Sequence, residues 1–158
     1  MSRLIAAVAI SAVTMVSVPG IACADPAVPQ QDAPCAVDLD GTMTWPTDAK
    51  MPLRCVGQQW TLVTTPPPPN DRWLSYGPAM TLHGQGMRNP SVASGEWTAT
   101  PQDQYSRCRA DQQAVVDAGV LGPIQTSEGE PGQALSFQIV PQLFSIEMSG
   151  YCLWTRQG

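Results

Sequence analysis

Short stretches of alternating apolar and polar residues are the main structural signal in the second half of the chain. Residues 135–140 (LSFQIV) alternate through Leu135, Phe137 and Ile139, and residues 143–148 (LFSIEM) alternate through Phe144, Ile146 and Met148. Residues 95–100 (GEWTAT) place Trp97 and Ala99 on one side and polar residues on the other. Alternation with a period of two is typical of strands that bury one face. These three segments therefore predict β-strands.

The remaining segments give weaker signals. Residues 53–65 (LRCVGQQWTLVTT) predict one longer strand, residues 76–78 (YGP) a turn, and residues 126–132 a loop. Residues 105–120 fit either a short strand or a helix with Asp103 as its N-cap. We favour the strand, because no apolar stripe at helical spacing is present and predicted strands surround the segment.

Glycine and proline punctuate the chain between these segments, most densely in the four prolines of residues 66–69. Short strands separated by such breaks are typical of a β-sandwich or small barrel. We therefore predict an all-β fold with at most one short helix. Residues 35–158 form a single β-rich domain in this interpretation, and residues 25–34, which are polar and proline-rich, form a flexible lead.

Residues 1–24 have the pattern of a secretory signal peptide. Arg3 gives a short positive start, and residues 4–18 form an uncharged apolar run that is shorter than the ~20 residues needed to span a bilayer. Ala22-Cys23-Ala24 then provides an A-x-A cleavage site. Cleavage after Ala24 would release a chain without a transmembrane span, which predicts a secreted protein of the extracellular space or cell envelope.

Cys23 leaves a second interpretation open. The sequence Gly20-Ile21-Ala22-Cys23 is similar to a bacterial lipobox, except that Gly20 stands where leucine is usual. Cleavage before Cys23 and lipidation of its thiol would make the protein an envelope lipoprotein held at a membrane surface. We favour free secretion, because the A-x-A site needs no exception to its pattern.

Composition and charge exclude several partners. The chain has 158 residues, which suits one domain, and 43% of them are hydrophobic, which is enough for a core. Thirteen acidic residues stand against eight basic ones, for a net charge of −5. A basic face for nucleic acid is therefore not expected, nor is charge-driven docking on anionic lipid.

The cysteines of the mature chain predict a disulfide framework. Cys35, Cys55, Cys108 and Cys152 remain after cleavage, and four cysteines in an exported chain indicate two disulfides. Of the three possible pairings we favour 35–55 and 108–152, in which each bond joins two cysteines that follow one another in the sequence. No C-x-x-C motif is present, and His83, the single histidine, is too far along the chain from Cys108 for ligand spacing. We therefore expect no metal site, no redox site and no cofactor.

Five tryptophans are many for a chain of this size, and they offer two interpretations. They can fill the core of a small β domain, or they can grip a ligand from an exposed surface. For the second role Trp73 and Tyr76, in a proline-flanked loop, are the best exposed pair, and His83 lies in a neighbouring glycine-rich loop. We therefore predict Trp73, Tyr76 and His83 as ligand-binding residues for a glycan, lipid or protein, with no catalytic residue.

An enzymatic alternative would use scattered carboxylates. A small extracellular hydrolase would need two acids to converge in a pocket, with candidates among Glu96, Glu128, Glu130 and Glu147. The sequence D-L-D-G-T at residues 38–42 matches the nucleophile motif of haloacid dehalogenase-type phosphatases, but the preceding buried strand and the later lysine of that family are absent. We interpret it as an Asp-rich turn in which side chains cap backbone N–H groups.

Several short segments resemble small exported proteins of mycobacteria and related actinobacteria. They are SGEWTATP at residues 94–101, CRADQ at 108–112, LSF at 135–137 and SGYCLW at 149–154. The resemblance implies a compartment, either the medium or the cell envelope, and assigns no functional residue. The sequence as a whole predicts an exported, non-enzymatic binding module, and it leaves ligand and oligomeric state open.

Overall fold

The computed structural model describes residues 26–66 and 68–158, and within them the chain forms ten β-strands and one 3-10 turn. The predicted all-β fold is confirmed. The predicted signal peptide and Cys23 lie outside the described residues. The turn is Val37–Leu39, and the strands are β1 (Met43–Thr44), β2 (Leu53–Val56), β3 (Gln59–Leu62), β4 (Arg72–His83), β5 (Gly95–Pro101), β6 (Arg109–Asp117), β7 (Val120–Leu121), β8 (Gln125–Glu128), β9 (Leu135–Ile139) and β10 (Leu143–Arg156).

The strands belong to one sheet that is organised around β10. Strand β4 pairs with β10 in antiparallel fashion along both halves of β10. On its other side, the first half of β10 pairs with β6 and the second half pairs with β5. The sheet continues beyond β4 through β1, β2 and β3, beyond β5 to β9, and beyond β6 to β7 and β8. The two longest strands therefore form a central ribbon from which the sheet branches.

Several predicted strands are confirmed and others are corrected. Residues 95–100, 135–140 and 143–148 lie in β5, β9 and β10, and residues 105–120 contain the favoured strand, β6. Residues 53–65 form a hairpin instead of one strand, because Gly57 takes a φ of 57° and turns the chain between β2 and β3. Residues 125–128, which overlap the predicted loop, pair with β6 as β8.

The predicted turn at Tyr76-Gly77-Pro78 is a bulge inside the continuous strand β4. Gly77 has a φ of 109° and lies opposite Gly150 of β10, where the register between the two strands shifts. Ser149 and Gly150 form the other side of the same irregularity. A bulge bends a strand without ending it, so the paired ribbon absorbs both glycines.

Apolar clusters cover both faces of the central ribbon. Trp73, Trp97 and Trp154 lie in the larger cluster, on the face that β5, β6 and β9 close over. Trp60 and Leu74 lie in a smaller cluster on the opposite face, beneath the N-terminal hairpin. These tryptophans therefore fill the core of the small β domain, which is the first of the two roles that the sequence suggested for them.

Both predicted disulfides are present, and each belongs to one cluster. Cys35–Cys55 fastens the segment before the 3-10 turn to β2 within the smaller cluster. Cys108–Cys152 joins the residue just before β6 to β10 within the larger cluster. Each core of the domain is thus stapled by one covalent bond.

The D-L-D-G-T segment is the Asp-rich turn that we predicted. The Asp40 carboxylate accepts a hydrogen bond from the Gly57 N–H at 3.2 Å, and Gly41 turns the chain with a φ of 78°. The Arg72 guanidinium donates to the backbone carbonyls of Asp38 and Asp40 at 2.8 and 3.1 Å. These bonds tie the turn to the start of β4.

Candidate functional site

Three tyrosines line one cleft on the side of the sheet that carries the smaller cluster. Tyr76 comes from β4, Tyr151 from β10, and Tyr105 from the loop between β5 and β6. The chain has only three tyrosines, so all of them meet here. The cleft has a volume of about 560 Å³. We call it the tyrosine cleft and define it by these three residues with Asp103 and Gly150.

The strand register brings Tyr76 and Tyr151 together. They are direct cross-strand partners in the ribbon, and their rings stack with centroids 5.4 Å apart and planes inclined by 26°. Both side chains pack against the smaller cluster. Such aromatic pairs stabilise a sheet surface beyond their buried area. The pair therefore forms a rigid, half-buried platform.

Tyr105 is held differently, by a side-chain cap in its own loop. The Asp103 carboxylate accepts hydrogen bonds from the Tyr105 N–H at 2.8 Å and from the Ser106 N–H at 2.6 Å, and its other oxygen accepts from the Ser106 hydroxyl at 2.8 Å. These bonds fix the loop backbone while the Tyr105 ring remains 68% exposed. A fixed backbone with a solvent-facing ring is suited to contact with a ligand.

The bulge at Gly150 shapes the wall of the cleft. Gly150 has a φ of 89°, and a Cβ at this position would collide with the carbonyl oxygen of Arg107. The Ser75 hydroxyl donates to the Gly150 carbonyl at 2.6 Å and accepts from the Trp154 indole N–H at 2.8 Å. The core therefore holds the bulge, and through it the position of Tyr151.

The charges and hydroxyls of the tyrosine cleft are set by burial and by hydrogen bonding. Burial raises the pKa of Tyr76 and of Tyr151, and the negative charges of Asp103 and Asp38 raise that of Tyr151 further. The hydrogen bond from the Ser106 hydroxyl, with those from the backbone, lowers the pKa of Asp103. At neutral pH Tyr76 and Tyr151 thus keep neutral phenol groups beside the Asp103 carboxylate.

Residues 26–29, which we call the strap, cross this part of the sheet. Val28 is 53% exposed and Pro29 is buried. Pro26 and Val28 line the tyrosine cleft. The strap also lines a second cleft of about 610 Å³, together with Tyr76, Tyr151 and Trp60. The two clefts therefore share the strap and the tyrosine pair as lining, and together they form one aromatic groove.

The strap is anchored at its C-terminal side and not along its length. The Asp32 N–H donates to the Trp60 carbonyl at 2.8 Å, and the Trp60 N–H donates to the Ala33 carbonyl at 2.9 Å, so residues 32–34 extend the sheet beyond β3. Among the described residues, no backbone hydrogen bond joins residues 26–29 to the sheet. Among the described residues, the strap is therefore held in place by side-chain packing.

The three predicted ligand-binding residues do not converge. Trp73 is only 1% exposed and lies in a strand within the larger cluster, so the predicted exposure of Trp73 is wrong. Tyr76, three residues further along β4, points to the opposite face because strand side chains alternate, and it lines the tyrosine cleft. Sequence reasoning missed Tyr105 and Tyr151. The one available signal was that the chain has so few tyrosines.

His83 lies at the far end of β4, about 23 Å from Tyr76 at the usual rise per residue. Its ring meets Phe144 edge to face at a centroid distance of 6.4 Å. The His83 carbonyl accepts from the N–H groups of Ser91 and Val92 at 2.7 and 3.2 Å. His83 thus fastens a loop to the sheet, away from the tyrosine cleft.

Among the candidate acids of the hydrolase alternative, Glu128 and Glu130 come together at one arginine, because the Arg107 guanidinium pairs with Glu128 and lies 3.8 Å from the exposed Glu130 carboxylate. Glu128 pairs with Arg107 at 2.9 Å and with Arg109 at 3.3 Å on the outer surface of β6 and β8. The hydrogen bond from Arg107 lowers the pKa of Glu128, whereas a general acid needs a raised one. Glu96 and Glu147 are exposed on β5 and β10. Within residues 26–66 and 68–158, no group of three His, Cys, Asp or Glu side chains could hold a metal ion.

Comparison with known proteins adds no assignment: no protein-family model, curated protein or solved structure matches this chain. In the part of the chain that the structure describes, no helix is long and apolar enough to cross a membrane.

Proposed function

We propose that the protein is an exported, disulfide-bonded binding module that holds its ligand in the tyrosine cleft and carries out no chemical step. The observation that supports this proposal most directly is the convergence of Tyr76, Tyr105 and Tyr151, from three separate elements, on one cleft. Tyrosine combines a large apolar face with a polar tip, so it is enriched where proteins bind partners.

Export is supported by two independent features. Residues 1–24 have the pattern of a signal peptide, and the remaining four cysteines form two disulfides. Disulfides persist in oxidising compartments and are rare in the cytosol. The resemblance to small exported actinobacterial proteins agrees with both. Free secretion accounts for these features, and lipidation of Cys23 is the alternative.

Binding without catalysis is supported by the chemistry of the cleft. A hydrolase would place two carboxyl groups together, one of them with a raised pKa. The tyrosine cleft instead has the carboxyl group of Asp103, whose pKa is lowered and whose oxygens are occupied by its own loop. Aromatic faces with few polar groups are typical of sites that bind by stacking and apolar contact.

Export is tested by the intact mass of protein released from an actinobacterial host that expresses the full chain. We expect a chain that begins at Asp25 and gains four hydrogens when its two disulfides are reduced. A mass that begins at a diacylated Cys23 would replace free secretion by membrane anchoring. Retention of the whole chain inside the cell would overturn export.

Binding is tested on the secreted protein with two probes, a displayed library of random dodecapeptides and soluble cellohexaose. NMR of protein labelled with ¹³C in its tyrosine rings follows Tyr76, Tyr105 and Tyr151 directly. We expect at least one probe to shift all three signals and to lose most of its affinity in Tyr105→Ala. The matched control is Ile124→Ala, because Ile124 is similarly exposed, at 65%, but precedes β8.

Two outcomes would overturn the proposed site. In the first, neither probe binds. In the second, a probe binds equally well to wild type and to Tyr105→Ala, with the shifts elsewhere on the sheet.

A further inference from the structure

We propose that the tyrosine cleft recognises proline-rich peptide segments that carry basic residues, and that the strap occupies this groove as an internal competitor. The inference rests on the proposed function and names its ligand class. It is carried by the sequence of the strap, by its seat among the tyrosines, and by the charge around the cleft.

The strap has the spacing of a polyproline II ligand. Its sequence is Pro26-Ala27-Val28-Pro29, a P-x-x-P segment. The ring of each proline restricts its own φ to the polyproline II range, and Val28 is driven toward extended backbone because a proline follows it. A polyproline II helix has three residues per turn, so Pro26 and Pro29 lie on the same side of it. The chain therefore presents two proline rings in the arrangement that aromatic grooves bind.

The surface on which the strap lies is an aromatic groove of this kind. Pro26 and Pro29 both line the second cleft with Trp60, Tyr76 and Tyr151. Pro29 is buried, and it also borders a cleft lined by Leu53 and Leu62. A polyproline II helix makes no internal hydrogen bonds, so its rings can pack on aromatic faces without a cost in backbone bonds. The structure thus shows one proline-rich segment, the chain's own, on the groove.

The contacts of the strap also make it replaceable. Within the described residues, no backbone hydrogen bond ties residues 26–29 to the sheet, and Val28 is half exposed. Another segment with the same ring spacing would make the same contacts without breaking a strand pairing. The clefts of about 560 and 610 Å³ that the strap lines leave room for a longer segment.

Charge indicates that the partner carries lysine or arginine beside its prolines. Asp103 lies in the cleft, and both Asp103 and Asp38 act on the Tyr151 hydroxyl. The chain as a whole has a net charge of −5. A basic flank would be attracted to these carboxylates, whereas the strap itself carries no basic residue. A basic proline-rich segment therefore has an attraction to the groove that the internal competitor lacks.

The test uses the full secreted protein and a labelled octaproline peptide that ends in two arginines. The control peptide replaces the prolines by alternating glycine and serine and keeps both arginines. Fluorescence anisotropy at low salt measures the apparent Kd. We expect the proline peptide to bind at least ten-fold more tightly than its control, and the methyl signals of Val28 to move toward their values in an unfolded peptide at saturation.

Two variants test competition and charge. Pro29→Gly loosens the strap. If the strap covers the groove about four-fifths of the time, this change lowers the apparent Kd of the proline peptide about five-fold, because only the uncovered fraction binds. The control Pro69→Gly, in an exposed loop, should leave the Kd unchanged. Asp103→Asn should weaken binding and flatten its salt dependence, whereas Asp117→Asn, an exposed acid at the end of β6, should do neither.

Several results would overturn this inference. They are equal binding of the two peptides, a Pro29→Gly variant that binds no more tightly than wild type, and Val28 signals that stay in place at saturation. The protein could also self-associate at the concentrations used, with shifts in the loop that contains Pro69. That result would identify a second copy of the chain, and not a basic peptide, as the occupant of the groove. The library of random dodecapeptides separates the two proposals. If it selects peptides that lack proline but lose their affinity in Tyr105→Ala, the proposed function stands and this ligand class fails.

Discussion

Replacing Ser75 by alanine should destabilise the fold far more than the loss of one hydroxyl group suggests. Ser75 is 1% exposed, and its oxygen accepts from the Trp154 indole at 2.8 Å while donating to the Gly150 carbonyl at 2.6 Å. Trp154 is fully buried, so the Ser75→Ala variant leaves its N–H without an acceptor and without access to water.

The expected loss follows from these two bonds. A buried donor left without a partner costs about 1–3 kcal/mol, and the hydrogen bond to the bulge carbonyl contributes about 1 kcal/mol more. We therefore expect Ser75→Ala to lower the free energy of unfolding by about 2–4 kcal/mol. The same change frees the Gly150 carbonyl, so the ring signals of the neighbouring Tyr151 should also shift.

The measurement is urea unfolding of the oxidised protein, followed by tryptophan fluorescence and repeated for Trp154→Phe and for the double variant. Because the double variant lacks both donor and acceptor, the cycle should give a coupling energy of about 1–2 kcal/mol between the two side chains. The matched control is Ser149→Ala, since the Ser149 hydroxyl makes only a 3.5 Å contact with the Arg109 carbonyl. A Ser75→Ala variant within about 0.5 kcal/mol of the Ser149→Ala control would refute the reasoning.

Three further predictions concern stability. Replacing Cys108 and Cys152 together by alanine should cost about 4 kcal/mol, because the bond closes a loop with a sequence separation of 44; denaturant unfolding measures this, and a loss below about 1 kcal/mol would contradict it. Gly150→Ala should lower the melting temperature markedly, because its Cβ would meet backbone, whereas Gly119→Ala, also at positive φ but in open space, should show only the conformational cost. Thr42→Val should raise stability by about 1 kcal/mol, because the fully buried Thr42 hydroxyl has no hydrogen-bond partner among the described residues; a thermal scan showing a loss would contradict this.

Sequence patterns predicted the elements whose information is local. The alternation in residues 95–100 and 135–140 needs no distant contact to specify a buried face, and both segments are strands with that face in the core. The tyrosine cleft could not be predicted in this way. It depends on the pairing of Tyr76 with Tyr151, 75 positions apart in the sequence, and on a loop whose backbone is fixed by Asp103.

Gly77 of β4 shows that a local signal can also be overruled by distant pairing. Gly77 followed by proline has the local chemistry of a turn, and an isolated strand would end there. Pairing with β10 along the whole of β4 outweighs that preference, because Gly150 stands opposite and allows a bulge. Trp73 was misplaced for a related reason: nearby prolines suggested an exposed loop, but the long ribbon carries Trp73 into the core.

The disulfides place rigidity where the proposed binding function needs it. Cys152 directly follows Tyr151, and Cys108 comes three residues after Tyr105, so the Cys108–Cys152 bond joins two of the three elements that supply tyrosines. The third element, β4, pairs with β10 along the edge of β10 that faces away from β5 and β6. Two of the three elements that supply tyrosines are therefore joined by a covalent bond and the third by strand pairing, whereas among the described residues only side-chain packing holds the strap. A groove with fixed walls and a replaceable occupant loses little conformational entropy when one segment exchanges for another, so binding should depend on the disulfides more strongly than on any residue of the strap.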